Sequence, residues 1–323
     1  MMPDSIFIYV IIFGTLFGAM GIAGVLVWFE RRLLGFWQDR LGPNRVGPFG
    51  IGLALADIIK LFAKEDWVPP FADKFVFIFA PTAIVMAMLL GFAVLPFAPG
   101  IYVVDINIAL LFFLGMTSLA VYAVLLGGLA SHNKFALLGG LRSAAQMVSY
   151  EVFMGLSLMG VVMLAGSFSL VDIVLAQEEN YWFVVTQFFG FVVFLIAGIA
   201  ESHRLPFDLP EAEHELVAGF HTEYSGMKFG MFMVGEYLGV ILISSMMATI
   251  FFGGWLGPDF MPPIFWFGLK SFLIVCFFVL LRAGIPRPRY DQLMSFGWKI
   301  LLPITLINLM VTGAVALWLR SPL

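Results

Sequence analysis

The chain reads as an all-α integral membrane protein, with eight transmembrane helices and an interfacial amphipathic helix in the first cytoplasmic loop. Three observations lead there. Charged residues make up 12% and hydrophobic residues 61% of the 323 positions, and the mean hydropathy is +1.00; a soluble domain carries about 25% charged residues. Apolar runs near the length that crosses a bilayer, about 20 residues, recur along the chain. The cations gather in alternate links between those runs.

The first run, 5–29, carries no charge. It follows MMPDS without the basic n-region of a signal peptide and is too long for an h-region, so it is expected to be a retained membrane helix. The second, 75–95, is uncharged and stops at the breaker PFAPG. Next come 106–130, uncharged, and 143–165, with only Glu151. The run 181–200 is uncharged, 229–253 holds only Glu236, 263–281 holds only Lys270, and 300–319 is uncharged. The links 30–74, 131–142, 201–228 and 282–299 contain nearly all the Lys and Arg, and the links between the second and third, fourth and fifth, and sixth and seventh runs contain none. The positive-inside rule therefore places the cationic links in the cytoplasm and both termini outside. On this layout, 1–323 is a single membrane domain.

In the first link, GIGLALADIIKLFAKEDW spaces its apolar residues helically and sets Asp57, Lys60 and Lys64 on one face. This predicts a helix lying at the membrane interface, packed on a partner protein, or both.

Composition excludes several functions. The single cysteine, Cys276, cannot by itself hold an iron–sulfur cluster or form an internal disulfide. None of the four histidines lies within an apolar run, which argues against a membrane haem. No basic arm points to nucleic acid.

Charged residues inside spans are expensive and mark function or pairing. Glu151 lies nine residues after Arg142, roughly 13 Å along a helix, and Glu236 lies at similar depth after Lys228. Each is a candidate proton-relay carboxylate or one half of a structural ion pair. Glu30 ends the first span beside Arg31 and Arg32, where boundary pairing is an equal explanation. The stretch GFWQDRLGPNRVGPFG cannot be continuous helix; it frames Arg40, Asn44 and Arg45 in glycine and proline. Its arginines need acids, and ESHRLPFDLPEAEHEL supplies five: Glu201, Asp208, Glu211, Glu213 and Glu215, followed by Glu223. That stretch is no zinc-protease helix, because HELVA has Ala218 where a second histidine is required. Its interleaved Pro206, Phe207, Leu209, Pro210 and Leu216 predict a loop packed against protein.

Taken together, ERRLLGFWQDRLGPNRVGP, IIKLFAKEDW, SYEVFMGLSLMG, HRLPFDLPEAEHELVAGFHTEYSGMKF, GEY and IPRPRYDQLMSFGWK resemble the H subunit family of bacterial respiratory complex I, the NADH:quinone oxidoreductase. The resemblance runs from about residue 20 to the C-terminus. It implies a subunit of the bacterial inner membrane at the joint between two arms, lining a quinone chamber beside peripheral-arm and neighbouring membrane subunits. Quinone is then the substrate, and FMN and iron–sulfur clusters belong to partner subunits; none is bound by this chain alone. It implies Glu30, Arg31, Arg40, Arg45, Asp57, Arg287 and Arg289 as candidates lining or gating the quinone route. It implies Glu201, Asp208, Glu211, Glu213, Glu215 and Glu223 as a coupling loop, with Glu201, Glu151 and Glu236 starting a buried proton path. A cation or solute transporter, and the homologous anchor subunit of a membrane-bound hydrogenase, are the alternatives.

Overall fold

The computed structural model describes residues 4–179, 181–210 and 213–320. Among them there is no strand, only an isolated bridge between Ala98 and Ile101. The α-helices are α1 Asp4–Trp37, α2 Gly52–Ala63, α3 Lys74–Gly91, α4 Ala109–Ala130, α5 Lys134–Ala165, α6 Leu170–Glu179, α7 Phe183–Thr186, α8 Phe188–Glu201, α9 Glu213–Leu216, α10 Gly226–Phe251, α11 Pro263–Gly284, α12 Tyr290–Phe296 and α13 Leu302–Arg320. A π turn, Gly297–Leu301, joins the last two. Among the described residues, seven helices are long and apolar enough to cross a membrane; Phe188–Glu201 is apolar but shorter.

Several boundaries differ from the hydropathy pattern, each for a local reason. Helix α1 continues past 29 to Trp37, so Glu30, Arg31 and Arg32 lie inside it. Charge ends an apolar run without ending a helix, and Glu and Arg are good helix formers. Helix α5 begins at Lys134 instead of 143, because Asn133 caps it: its side chain accepts from the Phe135 N–H at 2.9 Å. At 32 residues, α5 is about 48 Å long, more than a bilayer core of about 30 Å. The expected run 181–200 breaks at Gln187, whose φ of −119° is not helical. There the Gln187 amide donates to Thr312 at 2.8 Å and accepts from Asn308 at 2.8 Å, tying the break to α13. The link after α5 holds helix α6, where the hydropathy pattern predicts only a connector.

Lipid tails are as apolar as leucine, so helices in a membrane associate through close packing and hydrogen bonds. The α4–α5 hairpin shows this at Gly128: a Cβ there would stand 2.6 Å from the Ala136 carbonyl oxygen. Helix α10 is the hub. It packs on α1, α2, α3, α8 and α11, and every residue from Leu238 to Phe251 is buried, as expected of a helix apolar on all sides. Just before that stretch, near its middle, α10 carries Glu236 and Tyr237, where α1, α11 and the loop after α8 converge.

Candidate functional site

Four charged residues and one tyrosine meet at that convergence, from four parts of the chain. Glu30 on α1 is 4% exposed. It accepts from Tyr237 Oη at 2.8 Å, from Arg204 Nη1 at 3.2 Å, and from Arg282 Nη1. Arg204, in the loop after α8, also places Nε 2.9 Å from Glu236 Oε1 and lies over the Tyr237 ring at 4.2 Å. Two carboxylates and two guanidiniums thus meet in one cluster, with Glu30, Arg204 and Glu236 shielded and Arg282 reaching the surface. Isolated buried charges are prohibitively costly, and mutual pairing with extra hydrogen bonds is what makes such a cluster tolerable. Burial works against the Arg204 guanidinium, but Glu236 and Glu30 outweigh it and hold Arg204 above its ordinary value.

The cluster forms one wall of a cavity of about 890 Å³. Glu30, Arg31, Arg40, Tyr237 and Arg282 give it a polar lining, and Leu34, Leu41 and Leu205 an apolar one. Its rim is the segment after α1, a folded turn rather than a slack loop. Gly50 has φ +77°, and a Cβ there would stand 2.5 Å from the Pro43 carbonyl oxygen; the Arg32 guanidinium donates to that same oxygen at 2.8 Å. A concavity of this volume with converging polar groups is of the size small-molecule sites take.

Of the residues expected along a quinone route, Glu30, Arg31 and Arg40 line this cavity. The others lie apart from it. Asp57 on α2 pairs with Arg31 at 3.2 Å. Arg45 is exposed. Arg289 is the N-cap of α12, and its N–H donates to the Gln292 side chain at 3.1 Å. Arg287 keeps its Nε and Nη2 out of solvent without a hydrogen bond.

The acidic loop is packed against protein, but its acids do not pair with the arginines of 35–50 among the described residues. Glu215 takes Arg142 of α5 at 2.5 Å, because α5 extends far enough to meet it. Glu223 accepts from Asn133 at 2.7 Å. Asp208 is half-buried, near enough to Glu236 to act on it electrostatically. Glu211 lies outside the described residues, and Glu213 belongs to α9, with its side chain likewise outside them. Glu201, at the end of α8, is 2% exposed, and neither of its oxygens has a hydrogen-bond partner. Glu151 is held from α4 by the Ser118 hydroxyl and by Thr117 at 3.4 Å, and it lies within electrostatic range of Glu201. Glu236 is thus a member of an ion pair, and Glu151 is bound by hydroxyls. Two histidines in the loop are kept neutral: burial and then Arg204 push His203 down to about 4, and burial pushes His221 down to about 4.

Arg204, Tyr237, Arg282 and Ser118 are the site residues that sequence reasoning missed. Arg204 stands inside the conspicuous HRLPFDLP stretch, and GEY ends in Tyr237, so both were visible as motif members. Nothing in their spacing connects them to Glu30.

A family model described as NADH dehydrogenase matches residues 9–313 of the chain. The H subunit of the NADH-quinone oxidoreductase of Methylococcus capsulatus is 62% identical over 307 residues, covering 95% of this chain and 97% of that protein.

Proposed function

Because the chain belongs to the NADH dehydrogenase family, among the H subunits of NADH-quinone oxidoreductase, we propose that it forms the quinone chamber of that complex with peripheral-arm subunits and couples quinone reduction to proton translocation. The observation that carries this reading is the cavity walled by Glu30, Arg31, Arg40, Tyr237 and Arg282. Its size suits a quinone headgroup, and its donors suit the charge that develops there.

Reducing a quinone to the quinol takes two electrons and two protons. FMN and iron–sulfur clusters in partner subunits supply the electrons; this chain's groups bind, orient and respond. Guanidiniums at the wall favour negative charge on the headgroup oxygens, because they stand at the place where that charge develops. A change of charge there acts on Glu30 and, through Arg204, on Glu236. Coulomb interactions at a few ångströms are strong where water is excluded. Whatever quinone state does to the protonation of these acids, protonation does reciprocally to quinone binding. Glu201 and Glu151 continue the path into the membrane, and the loop acids Asp208, Glu211, Glu213, Glu215 and Glu223 respond to quinone state.

The same reading sets the chain in the bacterial inner membrane as eight spans with both termini on the outer face, by the cation asymmetry of the links. Helix α8, at 14 residues about 21 Å long, is the fifth span, completed by α7 across the Gln187 break. Helix α2 has no buried residue and exposes Leu55, Ile58, Ile59 and Phe62, as suits a helix at the membrane surface. The decisive test uses Glu151→Gln and Glu215→Gln in the assembled complex. Impaired proton pumping per quinone reduced supports the coupling path; normal quinone reduction with normal pumping in both contradicts it.

A further inference from the structure

Gln146 on α5 is 0% exposed and uses both hydrogens of its amide. Nε2 donates to the Ala200 carbonyl at 2.9 Å and to the Phe207 carbonyl at 2.8 Å. Ala200 lies in the last turn of α8, where carbonyls have no partner within the helix. Phe207 lies beyond the loop's bend, and its ring rests on Tyr150, one turn further along α5, at 5.9 Å between centroids. One side chain from a neighbouring helix therefore closes the segment 200–207.

The closed segment fixes three charged residues. Glu201 directly follows Ala200, Asp208 directly follows Phe207, and Arg204 lies between. Arg204 reaches 3.2 Å to Glu30 and 2.9 Å to Glu236, so where the bend sits decides whether it spans both acids. The Gln146 amide oxygen is buried without a hydrogen-bond partner. An unpaired buried acceptor is unfavourable, and the two donor bonds to Ala200 and Phe207 offset it. What glutamine contributes here is the pair of donor bonds.

We propose that Gln146 is the positioning residue of the coupling loop: by clamping the Ala200 and Phe207 carbonyls it places Arg204 across Glu30 and Glu236. This rests on the reading of those acids as coupling elements. A second tie, Ser143 Oγ to His203 Nε2 at 2.7 Å, holds the loop to α5 one turn earlier. It keeps the loop docked when the amide is replaced.

The experiment uses the intact complex in native membranes, with Gln146→Met, which keeps the length and loses both donors. NADH oxidation by ferricyanide, which bypasses the quinone step, reports the amount assembled. The groups acting on Arg204 are Glu30 on α1 and Glu236 with Tyr237 on α10; Arg282 on α11 pairs with Glu30, and Asp208 in the loop acts on Glu236. The expected result per assembled complex is quinone turnover lowered about tenfold or more, as for a misplaced charged group, with KM changed far less. In a Glu236→Gln background the same substitution then has at most about a twofold further effect, because residues acting as one unit are non-additive. Gln146→Glu keeps the volume and serves where the apolar variant does not assemble. Its carboxyl donates to a carbonyl only when protonated, so its activity rises as pH falls, unlike the wild type. Wild-type turnover in Gln146→Met, or a wild-type pH profile in Gln146→Glu, beside a defective Glu236→Gln overturns the clamp alone. Wild-type turnover and pumping in Glu236→Gln alone overturns the reading of the acids, and the clamp with it.

Discussion

Arg204 Nε lies 2.9 Å from Glu236 Oε1, with both side chains no more than 12% exposed. A loop residue thus enters the bundle to neutralise an acid on its most buried helix, and its second arm reaches Glu30. The behaviour of this pair under substitution distinguishes a tuned charge cluster from ordinary surface pairing.

Removing the shared cation leaves two acids without it. Arg204→Met is expected to destabilise by about 3–5 kcal/mol, the usual result of breaking a buried pair from one side, seen as loss of assembled complex on native gels. Arg204→Met combined with Glu236→Leu is expected to recover part of that loss, because the second change removes a stranded charge. Full additivity of the two losses would show that the residues do not act as a pair.

Tyr237→Phe deletes the hydroxyl that donates to Glu30 at 2.8 Å and leaves the ring under Arg204. A hydrogen bond to a charged group contributes about 1.5–3 kcal/mol, so quinone turnover is expected to fall roughly tenfold while assembly holds. Steady-state kinetics with a water-soluble quinone check it. Unchanged turnover and KM would remove Tyr237 from the working wall of the cavity.

The helical bundle was legible in the sequence because a bilayer demands long apolar runs, and seven of the eight runs that stand out fall on helices long and apolar enough to cross a membrane. Its site was legible only in part. Glu30, Arg31 and Arg40 lie within one stretch of chain around the end of α1, so a local motif exposed them. Arg204 and Arg282 join Glu30 from elsewhere in the chain, and no period connects them. The break at Gln187 was hidden because hydropathy counts an uncharged glutamine as tolerable, while its partners, Asn308 and Thr312, lie on the last helix. Among the described residues the 35–50 arginines do not pair with the acidic loop; Glu215 meets Arg142 instead, because α5 starts early enough to bring it there.

Acid is expected to loosen the loop after α8 through His203, 6% exposed and held neutral against α5. Its folded value, about 4, lies below the ordinary 6.5, so the unfolded loop binds more protons between those pH values. The stabilisation is fully present above pH ~6.5 and is lost as pH falls toward ~4, on the order of 3 kcal/mol in all. Hydrogen exchange of residues 202–207 measured against pH should show rising exposure in that window. His203→Gln, which does not titrate, should flatten the dependence.

The ion pair between Arg31 and Asp57 is half open to solvent, at 53% and 28% exposure. Pairs of this kind contribute about 0–1 kcal/mol. Asp57→Asn should therefore leave assembly and thermal stability nearly unchanged, whereas Glu30→Gln, which weakens the buried anchor of two guanidiniums, should lower quinone turnover about a hundredfold, the scale of a 1 Å misplacement. Equal effects of the two substitutions would mean that burial does not set their importance.

The central claim is that the cavity beside Glu30 receives the quinone. Photolabelling of the assembled complex with an azido-quinone, followed by mapping of the labelled peptides, tests it most directly. Label is expected on this chain between residues 34 and 43 and near Arg282, competed away by excess quinone. Label confined to the partner subunits would contradict it.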